Sequence, residues 1–337
     1  MKKNKILYVG NNLTKKTNYA TSMDILSNLL TSEGFTIYKS SSKSNKMLRL
    51  LEMCFAIFYY RTKVNYVLID TYSTSNFYYA LITSQLCRLF RLKYLPILHG
   101  GNLPNRLEKN PIFSSLIFNN SFQNIAPSGY LKYEFEIKGY ATQLVPNVIS
   151  IANYKFKKRI KLKPKLLYVR AFANVYNPCM SIEVFKEIKK KYQKAVLCMV
   201  GPDKDGTLND VKQLIDRYEL HDSVEITGVL SKSEWHKKSE EFDVFINTTN
   251  VDNTPVSVIE AMALGLPIVS TNVGGMPFLV ENNKDGLLVE KNNAIEMAIR
   301  IIEILEKNNI SLVKNARIKA ESFDCNIVKN KWVEILK

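Results

Sequence analysis

At 337 residues the chain is too long for one ordinary core and fits two domains of roughly 150 to 180 residues each. Apolar residues make up 46% and charged residues 23%, the balance of a soluble globular protein, and no apolar run reaches the roughly 18 to 20 residues of a membrane span. The formal charge of +16 lies mostly in the first half, where residues 1–150 hold 18 Lys and Arg against 7 Asp and Glu, so an anionic membrane surface or a nucleic acid is the expected class of partner there.

The start, MKKNKILYVG, has lysines but only a five-residue apolar run, so it reads as a first strand, Lys5 to Val9, and not as a signal peptide. Five widely spaced cysteines (Cys54, Cys87, Cys179, Cys198, Cys325) fit reduced core thiols of a cytoplasmic protein. Gly10-Asn11-Asn12 turns out of the first strand. Met23, Leu26, Leu29 and Leu30 then fall at helical spacing before Gly34, and Thr36 to Tyr38 is a second strand. This order opens a parallel α/β sheet. It lacks G-x-G-x-x-G, which disfavours a nicotinamide or flavin enzyme.

Met47 to Tyr60 (MLRLLEMCFAIFYY) is a helix apolar on most of its surface, flanked by Arg49, Arg61 and Lys63. It is expected as a core helix between strands, with an interfacial helix on anionic lipid as the alternative. Tyr66 to Asp70 is a strand and Phe77 to Phe90 a helix. Lys93 to Leu98 leads into His99-Gly100-Gly101-Asn102. A histidine at the carboxyl end of a strand, ahead of two glycines, stands where an open α/β sheet places ligand chemistry. His221 and His236 lie in polar segments and read as bystanders. Leu103 to Asn110, with Arg106, reads as a loop, Ser114 to Phe122 as a helix, and Ser128 as the cap of a helix from Gly129.

Domain one is expected over 1–150. Residues 151–165, with seven basic side chains from Lys155 to Lys165, read as a linker, 166–318 as domain two, and 319–337 as a last helix carrying Trp332. Lys165 to Arg170 begins the second domain. Ala195 to Val200 ends at Gly201-Pro202-Asp203, which is no P-loop, and Val224 to Gly228 is a further strand.

The most informative stretch is Asp243 to Glu290. Asp243 to Ile246 is a strand. Thr254 suits the N-cap and Pro255 the first position of a helix ending at Leu264, which Gly265 and Pro267 stop. The free N–H groups of Val256, Ser257 and Val258 would then face an anion. Asp252 precedes the helix and Glu260 lies about a turn and a half inside it, leaning back toward the same opening. A buried strand, Leu266 to Ser270, feeds Gly274-Gly275, where two glycines permit a close backbone approach to a ligand.

This stretch resembles the donor-sugar signature of the family-4 retaining glycosyltransferases: an acid, seven residues and a glutamate, an alanine-rich helix, a G-x-P-V-V strand and a Gly-Gly-x-Pro turn. Asp252 stands for the first glutamate and Glu260 is the second. AMALGLPIVS, VGGMP and the closing GLLV with Gly286 match in order. The resemblance implies the GT-B fold, two Rossmann-like doubly wound domains facing across a cleft, with the last helix crossing back to the first. It implies transfer of a sugar from a nucleotide-diphosphate donor, a UDP-sugar favoured, to an acceptor hydroxyl with retention, in cell-envelope polysaccharide or lipid-linked glycan biosynthesis. His99, Asp252 and Arg170 are then the catalytic residues. Gly10, Asn11, Arg170, Gly228, Asp252, Val256, Ser257, Glu260, Gly274 and Gly275 hold the donor, and Gly100, Gly101, Asn102 and Arg106 face the acceptor.

By the same resemblance Glu260 holds the ribose, Asp252 the sugar hydroxyls, and Arg170 the diphosphate. The lysine usual after that arginine is replaced by Asn177-Pro178. No metal and no cofactor are expected, since DKD at Asp203 to Asp205 lies outside the donor motif. The expected location is cytoplasmic, peripheral on the inner face of the membrane. The alternatives are a non-catalytic or epimerase-like GT-B homologue that binds nucleotide sugar and, from charge alone, a nucleic-acid-binding protein, against which stands the lack of any known nucleic-acid module.

Overall fold

A computed structural model describes residues 4–10, 21–307 and 310–337. The chain divides into two compact units, one formed by Met1–Ile149 with Phe323–Lys337 and the other by Ser150–Ser322.

In unit 1, strands β1 (Lys5–Val9), β2 (Thr36–Ser40), β3 (Tyr66–Tyr72), β4 (Lys93–His99), β5 (Asn124–Ala126) and β6 (Thr142–Leu144) form one sheet in the order β2-β1-β3-β4-β5-β6. All pairs are parallel, so each return needs a crossover, supplied by α1 (Ser22–Ser32), α2 (Lys46–Tyr60), α3 (Asn76–Leu89), α4 (Leu103–Lys109), α5 (Pro111–Phe118) and α6 (Gly129–Glu136). The inner strands β1, β3 and β4 are largely apolar and buried because helices cover both faces. The strand order reverses between β1 and β3, and such a switch point opens a crevice at the carboxyl ends of those strands.

Unit 2 repeats the plan. Strands β7 (Lys165–Val169), β8 (Val196–Val200), β9 (Val224–Gly228), β10 (Val244–Asn247), β11 (Ile268–Thr271) and β12 (Leu287–Val289) order as β12-β11-β10-β7-β8-β9, again all parallel. Between them run α7 (Pro178–Lys191), α8 (Thr207–Arg217), α9 (Lys232–Lys238), α10 (Val256–Ala263) and α11 (Met276–Leu279), followed by α12 (Ala294–Lys307) and α13 (Ile310–Glu321). Here the switch point lies between β7 and β10. The last helix, α14 (Cys325–Ile335), belongs to unit 1: Cys325 N–H donates to the Ile149 carbonyl, Asn4 Nδ2 donates to Leu336, and Trp332 is buried with Ile6, Tyr8 and Met23.

Three expectations change. The stretch 151–165 packs into unit 2 through the buried guanidinium of Arg159, which donates to the carbonyls of Lys157, Ser239, Phe242, Leu264 and Gly265. Leu103 to Asn110 is mostly helix, since Leu103 and Leu107 fall on one buried face. Helix α2 buries only Met53, Ala56, Ile57 and Arg49, and turns Met47, Leu48, Leu51, Phe55, Phe58 and Tyr59 outward. Among the described residues no helix is long and apolar enough to cross a membrane.

Candidate active site

Arg170 follows directly on β7, and the loop Thr248 to Pro255 follows β10, so both emerge at the switch point of unit 2. The two loops are stitched together. Asn250 N–H donates to the Val175 carbonyl, Asn250 Nδ2 to that of Asn174, and the Thr248 hydroxyl to that of Asn177. This brings the Arg170 guanidinium onto the Asp252 carboxylate in an ion pair, with the guanidinium also 4.2 Å from the centre of the Tyr176 ring. Burial pushes the Asp252 carboxyl above its ordinary value, and the charge of Arg170 offsets only part of that. Among the described residues, Arg170 Nε and the Ser257 hydroxyl have no hydrogen-bond partner.

Helix α10 starts one residue later than its sequence suggests. Pro255 has extended backbone (ψ 117°) and is itself the N-cap, so Thr254 lies too far out to cap the helix. The Pro255 carbonyl accepts the N–H of Val258 at 3.1 Å, which removes Val258 from the expected set of free donors. Val256 and Ser257, as the first two helical residues, have no intrahelical acceptor. The other end of α10 is held by cations: Arg159 donates to the Leu264 and Gly265 carbonyls and Arg317 to that of Ala263. These guanidinium groups meet the carbonyls that a helix C-terminus leaves open and oppose its dipole.

Glu260 is buried, and one oxygen of its carboxylate is engaged within unit 2. Its Oε1 accepts from the Tyr154 hydroxyl and from Lys232 Nζ, each at 2.8 Å, while His236 Nε2 faces Oε2 at 4.0 Å. Burial alone would raise this carboxyl. The facing imidazole, Lys232 and Tyr154 outweigh it and hold the group below its ordinary value. His236, expected as a bystander, is therefore part of the site. Sequence reasoning missed all three partners because they come from α9 and from the basic stretch, far from Glu260 along the chain.

A depressed carboxyl fixes the sign of a pH effect: its stabilisation is present above the unfolded value and fades as pH falls through the folded one. Glu260→Gln should therefore cost about 1 kcal/mol at neutral pH, a figure kept small because Lys232 is largely exposed. The difference between the two proteins, followed by urea unfolding, should shrink in acid below the usual carboxylate range.

Gly274 and Gly275 admit a close approach of the protein's own backbone. Gly275 N–H donates to the Asp252 carbonyl at 2.9 Å, and a Cβ on Gly275 would stand 1.5 Å from the Asn253 carbonyl oxygen. The turn is the seat on which the Asp252 loop rests. Gly275→Ala should lower stability by about 2 to 3 kcal/mol and release Asp252 from Arg170, read by thermal unfolding and by loss of ligand binding. Asn177, at the position of the missing lysine, has left-handed backbone (φ 47°) and N-caps α7 by accepting from Met180 N–H. Gly228 closes β9, its carbonyl accepting Gly201 N–H.

Unit 1 gathers a second group of residues at its own switch point. His99 ends β4 and is buried, its ring stacked 4.6 Å from that of Tyr72. Its Nε2 lies 2.9 Å from Asp70 Oδ1, which also accepts the Tyr8 hydroxyl at 2.9 Å. An imidazole that donates from Nε2 presents Nδ1 on its other side, as acceptor when neutral and donor when protonated. Gly10 lies against Asp70, where a Cβ would stand 2.4 Å from Oδ2, and its N–H is taken by the Ser40 carbonyl, so it braces Asp70 in place of offering a donor to phosphate. Gly100 follows His99 with φ +81°, and Gly101 and Asn102 lead into α4. Arg106 spends its donors on the Ser73 carbonyl and Asn110 Oδ1, which leaves it a brace of its own unit. Asn11 lies outside the described residues. Among the described residues no group of three or more His, Cys, Asp or Glu is placed to hold a metal.

The sequence profile of the family described as Glycosyl transferases group 1 matches residues 150–322, which is the whole of unit 2. The chain belongs to the glycosyl transferases group 1 family. It is 34% identical over 137 residues to WcaL of Escherichia coli K12, a protein named for colanic acid biosynthesis as a glycosyltransferase. That match covers 38% of this chain and 34% of WcaL, so the chain spans about a third of the length of this curated relative. Among solved structures, sucrose-phosphate synthase of Thermosynechococcus elongatus superposes with TM-score 0.78 at 17% identity, over 98% of both chains. HepE of Anabaena in complex with UDP-glucose superposes with TM-score 0.76 at 15% identity, over 99% of both. At such identities the likeness concerns the fold, which is GT-B.

Proposed function

We propose that this glycosyl transferases group 1 chain moves a sugar from a nucleotide-diphosphate donor to an acceptor hydroxyl of a cell-envelope glycan, keeping the anomeric configuration. The observation that carries the reading is the switch point of unit 2. There one guanidinium whose Nε has no partner among the described residues, one hydroxyl likewise without a partner and the first two N–H groups of α10 accompany the half-buried carboxylate of Asp252, with the buried Glu260 further along the same helix. Donors of this kind suit a diphosphate, and acceptor-only carboxylates suit hydroxyls. Arg170, Ser257 and the start of α10 take up charge as the bond between the sugar and the diphosphate breaks. Asp252 accepts from sugar hydroxyls once Arg170 turns to the phosphates, and Glu260 accepts from the ribose. In unit 1, His99, oriented by Asp70, offers its other ring nitrogen to a hydroxyl at that unit's own switch point. WcaL supports the polysaccharide setting by its name, and HepE a UDP-sugar by its bound ligand.

A thermal-shift screen against UDP, GDP, ADP and CMP with their common sugars tests this. At 100 times its dissociation constant a ligand adds about 2.7 kcal/mol of stability. One diphosphate series should stabilise the protein and lose that effect in Glu260→Ala. Failure of every series would sink the reading.

A further inference from the structure

The outer face of α2 has a composition that water does not explain. Met47, Leu48, Leu51, Phe55, Phe58 and Tyr59 fall within an arc of about 120° at 3.6 residues per turn, and each is 49 to 69% exposed. No charge interrupts the arc. The two charged residues between Met47 and Tyr60 are turned elsewhere: the buried Arg49 donates to the Lys43 and Ser44 carbonyls, and Glu52 accepts from the Ser41 hydroxyl. A contiguous apolar face of this size on a folded unit marks a surface that something covers.

The charges around the arc say what covers it. At its C-terminal end the Arg61 guanidinium lies 4.0 Å over the Phe58 ring and Lys63 Nζ 3.6 Å over the Tyr59 ring, so cations and exposed aromatics share one surface. The stretch that carries the arc, from Lys43 to Lys63, has Lys43, Lys46, Arg49, Arg61 and Lys63 against the single acid Glu52, which is bonded to the Ser41 hydroxyl. A second copy of this face would bring like charges together. A bilayer with anionic headgroups supplies hydrocarbon for the arc and counter-charge for the rim.

We infer that the α2 face of unit 1 docks on the surface of an anionic lipid bilayer, with Leu51, Phe55 and Phe58 entering the acyl boundary and Arg61 and Lys63 at headgroup level. Vesicle binding is read without any sugar transfer, so this can fail or hold independently of the proposed activity.

The full chain is sedimented at low salt with vesicles of phosphatidylcholine alone or with about 30% phosphatidylglycerol, and binding to the anionic vesicles should be at least tenfold stronger. The exposed double substitution Leu51→Glu with Phe55→Glu should lower that binding by about tenfold or more while the far-ultraviolet dichroism and melting point stay unchanged. Phe55→Trp adds an independent reporter, because Trp235 and Trp332 are both buried; its emission should shift to the blue and be quenched by brominated acyl chains. Absence of vesicle binding, full binding by the double variant, an unquenched Trp at position 55, or a dimer in sedimentation velocity that the double variant abolishes would each overturn the inference.

Discussion

Arg159→Ala is expected to destabilise unit 2 by roughly 3 to 5 kcal/mol, the usual consequence of removing one partner from a buried charge network. The guanidinium is buried, donates to five carbonyls and lies 3.4 Å from Asp243. Burial lowers it to about 10, which still leaves it charged at neutral pH. Its loss would strand the Asp243 carboxylate and the Leu264 and Gly265 carbonyls that end α10. In differential scanning calorimetry the unfolding midpoint should fall by about 10 °C. Arg159→Lys should recover less than half, because one ammonium cannot reach acceptors spread around a planar fork. A drop of only a degree or two in the alanine variant would mean that the stretch 151–165 is not the clamp described above.

The second large effect is expected on turnover. Arg170→Ala should lower kcat by about 10² to 10³, the scale for removing one pre-positioned charge-stabilising donor. Tyr176 and the stitched loop hold the guanidinium near its place before any ligand arrives, so little reorganisation is needed at the moment of bond cleavage. Asn177 cannot take over, since its side chain caps α7 and its Nδ2 donates to Asn292. Arg170→Lys should restore only part of the rate, because an ammonium lacks the two-pronged geometry that fits a diphosphate. A raised KM with kcat scarcely changed would instead assign Arg170 to ground-state binding.

Much of this architecture was legible along the chain. Strand boundaries such as Lys5–Val9 and Lys93–His99 follow from short apolar runs, and Gly265 with Pro267 marks the end of α10. Local signals failed where the cause was distant. Nothing near Glu260 announces Tyr154, Lys232 or His236, since a buried carboxylate recruits whatever donors the fold brings to it. Nothing in a run of seven basic residues singles out Arg159, whose burial is decided by the helix end it meets. The paired glycines were legible as a close approach, but the object approached was the chain itself. Helix α2 misled through composition, because an apolar pattern specifies a covered helix without saying whether protein covers both faces.

The most direct test of the central claim is to follow transfer from the nucleotide sugar that stabilises the protein to a lipid-linked or free glycan acceptor, and to read the anomeric proton of the product by NMR. The account predicts sugar on an acceptor hydroxyl, the donor's anomeric configuration kept, equimolar release of the nucleoside diphosphate, and loss of all three in Arg170→Ala. Inverted configuration, or undiminished transfer by that variant, would contradict it.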